Sequence, residues 1–153
     1  MNALTACAPR FPAMTPEAID RAQRMTVASL TLPQVEIPTQ HVLHAGMYAR
    51  TIHIPAGVLL TGAVIKVPTV LVFDGHCTVY VGDRTVELDG YHVLPAEAGR
   101  KQVFLAHRDT MLTMLFPTQA QTVAEAEDQF TDEADMLLSR KQDAAQFELI
   151  TGE

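Results

Sequence analysis

The sequence predicts a single all-β domain, a sandwich, jelly roll or barrel of about eight strands, with helical or extended appendages at both ends. In residues 47–117, apolar runs of strand length alternate with turn signals built on Gly, Pro and Asp. The signals recur at roughly the 8–12-residue spacing of such folds, and no long stretch here has helical periodicity. We therefore divide the chain into an N-terminal helix and arm (residues 1–46), the β domain (residues 47–117) and a helical tail (residues 118–153).

Length and composition limit the chain to one domain and exclude some functions. Its 153 residues are 48% hydrophobic and 19% charged, which is typical of a globular protein with a sizeable core. The formal net charge of −7 comes without a basic stripe for phosphate contacts, so we expect no direct nucleic-acid partner. No apolar stretch has the roughly 18 residues of a membrane span, and no signal-peptide pattern is present. We expect a soluble, non-secreted protein, with Cys7 and Cys77 as free thiols in a reducing compartment.

Both flanking regions carry helix-start signals. Thr15, Pro16 and Glu17 supply a hydroxyl cap, a proline for the first helical position and an acid in the first turn. They predict a helix to about residue 29, whose thin apolar face needs a surface to dock on. The capping box formed by Thr122 and Glu125 predicts a second helix over about residues 123–129. A cap at residue 131 predicts a third helix.

Turn signals delimit the strands of the β domain. Predicted hairpin turns lie at Asp74-Gly75, at residues 82–84 and at Asp89-Gly90, and residues 107–109 separate the last two strands. The predicted strands are residues 47–54, 58–66, 70–73, 77–81, 85–88, 91–94, 102–106 and 110–116.

Two segments outside the β domain have few means of folding alone. Pro33 and Pro38 fix two φ angles in the arm, which predicts extended chain that covers its own barrel or reaches a neighbouring subunit. Phe147 and Ile150 are among the few large apolar residues of the final segment, which would fray unless something outside the barrel holds it. We take these four residues as candidate assembly contacts.

The sequence offers no convincing catalytic or metal-binding constellation. Ligands on strands must converge on one face, and the chain has no His-x-His pair. His76 and His107 fall beside predicted turns, and Glu87 is one of several carboxylates near turns. Nucleophile-elbow, phosphate-loop and dinucleotide motifs are all missing. We predict no catalytic residue, no metal site and no cofactor, and a protein that is not an enzyme.

Tyr48 and His53 are the candidate pocket residues. If His53 shares a face with Met47, Ala49 and Thr51, it points into the barrel mouth, with Tyr48 on the opposite face. The alternative is a buried neutral histidine that bonds to the backbone.

The stretch of residues 41–62, which includes the sequence Tyr48-Ala-Arg and ends at the Thr-Gly pair 61–62, resembles a group of cupin-like proteins encoded by tailed phages and prophages. The similarity continues at residues 95–101, 107–110 and 116–118, and in the tail to residue 140. Many relatives carry two histidines after the Thr-Gly pair, at positions that correspond here to Ile65 and Thr69. Gly90, Pro95 and Gly99 echo the second cupin motif, with Gln102 or Val103 in place of its histidine. The resemblance implies a cupin-like jelly-roll barrel that lacks the cupin metal histidines.

These observations lead us to expect a non-enzymatic phage virion protein, a capsid decoration or cement protein. Its jelly roll and terminal arms would make assembly contacts within a homo-oligomer, a dimer or trimer, and with the major capsid protein. It would occur in the virion, and in the host cytoplasm before assembly. The missing metal ligands, the phage-type similarity and termini that bury little on their own barrel motivate this hypothesis. A small-molecule-binding or enzymatic cupin, and a phage inhibitor of a host defence, stay open as alternatives.

Overall fold

Seven strands form one sheet in the described part of the chain, which is residues 9–140 and 146–151 of this computed structural model. The strands are β1 (Thr39–His44), β2 (Met47–Ile54), β3 (Leu59–Thr61), β4 (Thr69–Tyr80), β5 (Thr85–Ala96), β6 (Val103–Pro117) and β7 (Gln146–Ile150). Their order is β5-β4-β6-β2-β1-β7, with β3 also paired to β6. All described pairs are antiparallel except β1 with β7. Because β5 and β7 each have one unpaired edge, the sheet is mostly antiparallel and does not close into a barrel.

The two capped helices lie where the sequence predicts them. They are α1 (Pro16–Ser29) and α2 (Val123–Phe130), and two 3-10 turns follow, Ala134–Met136 and Leu138–Arg140. Thr15 Oγ1 accepts from Ala18 N at 3.1 Å, and Thr122 Oγ1 accepts from Glu125 N at 3.2 Å. Both side chains satisfy a backbone donor that the first helical turn leaves open. The third predicted helix is wrong, because short 3-10 turns take its place.

No helix of the described residues combines the length and the apolar character that crossing a bilayer requires.

Three of the predicted turns and breaks are wrong, because β4, β5 and β6 run straight through them. Asp74-Gly75 lies inside β4, Asp89-Gly90 inside β5 and residues 107–109 inside β6. The register between β4 and β6 shifts at this point, which marks β-bulges. Gly75 permits a close approach there, because a Cβ on it would lie 2.1 Å from Thr110 Oγ1. The predicted turn at residues 82–84 is confirmed by the bond from Val81 N to Arg84 O, 3.1 Å long.

The hydrophobic core covers the inner face of the sheet. Inward residues of β4 such as Leu71 and Phe73 alternate with outward ones, as the twofold strand period requires. Three aromatic side chains tie α2 to the sheet, since the rings of Tyr48, Phe116 and Phe130 lie 5.5–6.3 Å apart. Such contacts contribute about 0.5–1.5 kcal/mol per pair beyond simple burial.

Both ends of the described chain pack on their own sheet. Phe11 is buried and bridges to Ala96 of β5. Ala18 and Ala22 of α1 pack in a small cluster with Val103. Strand β7 pairs with β1, so the sheet extends beyond residues 47–117 at both ends. The expectation that the termini bury little on their own domain is wrong. Strand β1 belongs to the arm, outside the predicted barrel of residues 47–117, so the final segment is held from outside that barrel, in agreement with the prediction.

Candidate binding cavity

A cavity of about 760 Å³ lies against the inner face of the sheet. Ile52 of β2, Leu71 of β4 and Met114 of β6 line its floor. Residues 57–63 and most of residues 29–37 in the arm also line it. Residues 31–36 are exposed, which places the mouth of the cavity at the arm. Ligand pockets in proteins typically measure about 300–1,000 Å³ and are mostly apolar with a few placed polar groups. This cavity has the size and the character of a small-molecule site.

The charged groups of the cavity are mainly cationic. Counting the described lining residues, three carry positive charge (Arg50, Arg100 and Lys101), and one, Glu133, carries a carboxylate. Lys101 Nζ donates to Gly62 O at 2.8 Å and lies 3.6 Å from Glu133 Oε1. Arg50 pairs with Glu127, whose carboxylate lies 3.0 Å away. Two of the three cations, Arg50 and Lys101, therefore have a carboxylate partner.

Arg100 is the cation without such a partner. Its side chain is buried, with 1% of the residue exposed, and it donates to Glu97 O at 2.7 Å, Thr69 Oγ1 at 2.7 Å and Gln102 Oε1 at 3.1 Å. No carboxylate of the described chain forms an ion pair with it. Burial lowers the pKa of Arg100 to about 10, against the opposing attraction of Glu97. The guanidinium nevertheless stays charged at neutral pH, so the cavity holds a desolvated positive charge.

Gln102 extends this polar corner of the cavity. Its Oε1 accepts from Arg100, and its buried Nε2 is without an acceptor in the described structure. A buried donor that lacks an acceptor costs roughly 1–3 kcal/mol. The corner formed by Arg100 and Gln102 therefore presents N–H donors that a bound acceptor would satisfy.

The side chains that line the cavity do not suit the metal ion that cupins commonly hold. The described lining has no His, Cys or Asp, and Glu133 supplies its one carboxylate. Thr69, at which the resemblance led us to expect a replaced histidine, accepts a hydrogen bond from Arg100. Of the two residues expected at the other replaced position, Gln102 bonds to Arg100 and Val103 packs against α1. A desolvated guanidinium at this point repels a cation, so we derive no metal chemistry in the cavity.

The structure separates the two predicted pocket residues. Tyr48 faces inward and is fully buried beneath Phe130, outside the set that lines the cavity. Its hydroxyl and His41 Nδ1 are hydrogen-bonded at 2.7 Å, and burial raises the pKa of Tyr48 to about 12. His53 faces outward, where its Nε2 lies 3.5 Å from Gln40 Oε1. Both readings of His53 as an inward or buried residue are wrong, because Tyr48 and Ile54 set the inner face of β2.

The four predicted assembly contacts lie in different surroundings. Pro33 lines the cavity mouth of its own chain, and the carbonyl of Pro38 accepts from His53 N at 3.0 Å. Ile150 is 46% exposed in the edge strand β7. The side chain of Phe147 lies outside the described residues.

Sequence reasoning assigned no role to Arg50, Arg100 or Gln102. Arg100 was noted only because it lies in the segment 95–101 that resembles the cupin-like group. Gln102 was noted only as a residue that stands where the second cupin motif has a histidine. The only signal in the sequence was weak, since Arg100 follows Gly99 between two predicted strands and Gln102 begins the predicted strand 102–106. Neither position marks a buried polar group that needs a partner.

Neither a family model nor a curated protein matches the chain. Among solved structures it is similar to a cupin superfamily protein from Desulfitobacterium hafniense, at 9% identity and a TM-score of 0.47, over 57% of this chain and 83% of that one. A protein with a double-stranded β-helix domain from Klebsiella pneumoniae is similar at 12% identity and a TM-score of 0.47, over 58% of this chain and 79% of that one. A salicylate 1,2-dioxygenase variant from Pseudoaminobacter salicylatoxidans is similar at 12% identity and a TM-score of 0.49, over 85% of this chain and 42% of that one. With every TM-score below 0.5, these likenesses carry no argument about ligand or activity.

Proposed function

We propose that the chain is a binding protein for a small organic acid, with the apolar body of the ligand in the cavity and its carboxylate at Arg100 and Gln102. One observation carries the proposal. A fully buried arginine without a described carboxylate partner stands beside a buried amide N–H₂ without an acceptor.

The energetics of burial favour an anionic ligand. Charged side chains are almost never fully buried unless they are paired. A carboxylate accepts up to four hydrogen bonds and matches the planar guanidinium, so it can take the open donors of both side chains. Hydrogen bonds to charged groups contribute about 1.5–3 kcal/mol each. The apolar floor of Ile52, Leu71 and Met114 then suits an aliphatic or aromatic body.

Matched acids and amides test this proposal. Isothermal titration at neutral pH should show that a panel of acids (octanoate, decanoate and 3-phenylpropanoate) binds at least about 10-fold more tightly than the corresponding amides, since one charged hydrogen bond accounts for that factor. Arg100→Met should reduce binding of the acids by about 10–100-fold and leave the amides nearly unchanged.

Arg24→Met is the matched control, because Arg24 is exposed on α1 and pairs with Asp20 on the same helix, away from the residues that line the cavity. Gln102→Leu tests the same corner if Arg100→Met does not fold, and it should weaken acid binding while removing an unpaired donor. Equal affinity for acids and amides, or acid binding that survives both cavity variants, contradicts the proposal.

A virion role stays our second candidate, favoured by an apolar strip on the outer face of the sheet. Tyr91 is 67% exposed, Val93 55% and Val70 46%, on the neighbouring strands β5 and β4. A row of apolar side chains beside the free edge of β5 is suited to contact another subunit. The proposed homo-oligomer and the contact with major capsid protein would use this strip.

Mass spectrometry of gradient-purified particles from the encoding phage or prophage tests the virion role. We expect the chain at a copy number comparable to that of the capsid protein. Tyr91→Lys should release it from particles without changing its binding of acids. Its absence from purified particles would exclude the role.

A further inference from the structure

A cluster of two histidines and one glutamate, residue types that can bind a metal ion, lies on the outer face of the sheet, opposite the cavity. His76, Glu87 and His107 come from the three neighbouring strands β4, β5 and β6. One ligand atom from each lies within 4.8 Å of the other two. His76 Nε2 and Glu87 Oε2 are 3.2 Å apart, and the rings of His76 and His107 are 4.7 Å apart between centroids.

Strand register explains how residues so distant in sequence converge. Glu87 lies directly across from Thr78 in the β4–β5 pair, and His76 is two residues from Thr78 on the same face. His107 is the extra residue of a β-bulge, because Ala106 pairs with Cys77 while Arg108 pairs with the very next residue, His76. A bulge re-aims a side chain, and this one directs His107 toward Thr78.

The surroundings hold the three side chains in place. The Thr78 hydroxyl donates to the Glu87 carboxylate and lies 2.7 Å from His107 Nε2. Thr110 Oγ1 accepts from His76 N at 3.2 Å, which fixes the backbone of the bulge.

We propose that His76, Glu87 and His107 form a surface site for a divalent transition-metal ion, Zn²⁺ foremost. Two imidazoles and one carboxylate are a donor set that zinc accepts, with bonds of about 2.0–2.2 Å. Tetrahedral geometry then places ligand atoms about 3.4 Å apart, near the separation of His76 and Glu87. The ligand atom of His107 lies within 4.8 Å of the other two, so binding requires His107 to exchange its hydrogen bond with Thr78 for the metal.

The site differs from a structural zinc centre in having an open position. The His76 side chain is 36% exposed and that of Glu87 60%, so water or a donor from a partner can take the remaining coordination positions. Its place on the outer face makes it independent of the carboxylate site in the cavity.

Zinc titration of the tag-free, chelator-treated full chain tests the proposal. Competition with a chromophoric chelator should show one Zn²⁺ per chain, and Co²⁺ should give the visible absorption of a low-coordinate complex. His76→Asn, Glu87→Gln and His107→Asn should each weaken zinc binding by more than about 10-fold, the lower limit for loss of even an outer-shell partner.

His53→Asn is the matched control, since His53 lies on the outer face away from the cluster and should leave zinc binding unchanged. All variants should keep the circular-dichroism spectrum and the acid affinity of the parent protein, because none of the substituted side chains is buried in the core. Failure to bind zinc stoichiometrically at millimolar concentration overturns the proposal. Stoichiometric binding that survives all three substitutions also overturns it.

Discussion

Glu127→Ala should lower the free energy of unfolding by about 3–5 kcal/mol, the cost of breaking a buried ion pair by removing one partner. Glu127 is 2% exposed in α2 and lies at the centre of a polar network. Its carboxylate accepts from Arg50 at 3.0 Å, from Arg140 at 2.9 Å and from the Ser139 hydroxyl. Removing it leaves the Arg50 guanidinium, whose side chain is 11% exposed, without its carboxylate partner.

Urea denaturation monitored by circular dichroism measures this loss. Asp128→Ala is the matched control, because Asp128 is the next residue, pairs with the same Arg140 and is 67% exposed. Its removal should change the free energy of unfolding by no more than about 1 kcal/mol, as for other surface pairs. Equal effects from the two substitutions would contradict the assignment of Glu127 as the buried centre of the network.

Gly75→Ala should lower the free energy of unfolding by about 3 kcal/mol, at the upper end of ordinary overpacking. The new Cβ would lie 2.1 Å from Thr110 Oγ1 and 2.5 Å from Thr110 Cβ. Thr110 cannot turn away freely, because its hydroxyl also bonds to Arg108 O at 2.9 Å. The bulge that carries His107 would have to shift as a unit.

Gly46→Ala separates this contact from backbone strain. Gly46 has a φ of +71° with nothing within 4 Å of an added Cβ, so its substitution should cost only about 1–2 kcal/mol of left-handed strain. The same urea titration compares the two variants. In the double variant Gly75→Ala/Thr110→Gly, the penalty of the first substitution should shrink markedly. A Gly75→Ala protein as stable as the parent would show that Thr110 does not pack against the glycine.

The helices could be predicted from sequence and the strand boundaries could not, for one physical reason. A helix start is local, since Thr15 and Thr122 bond to backbone three residues away. An Asp-Gly pair is also a local signal, but it fits a hairpin turn and a bulged strand equally well. The packing of Thr110 on Gly75, 35 positions distant, favours the strand. The residues next to Gly75 in the sequence do not predict this long-range contact.

The candidate sites depended on long-range register even more strongly. The strands that pair with β2 decide which of its two faces is buried. The predicted alternation assigned His53 to the inner face, whereas the inner face carries Tyr48 and Ile54. Arg100 is informative because no carboxylate of the described residues forms an ion pair with it, which a sequence does not reveal. The His76, Glu87 and His107 cluster was missed because a predicted turn at Asp74-Gly75 removed His76 from the sheet.

A crystal structure of the chain with 8-bromooctanoate tests the central claim most directly. The anomalous signal of bromine locates the far end of the ligand and fixes its direction in the cavity. We predict the carboxylate within about 3 Å of Arg100 nitrogen atoms and of Gln102 Nε2, the length of a charge-assisted hydrogen bond, with bromine toward the mouth beside Pro33. A carboxylate at the mouth with bromine at Arg100, or a ligand bound only outside the cavity, would contradict it.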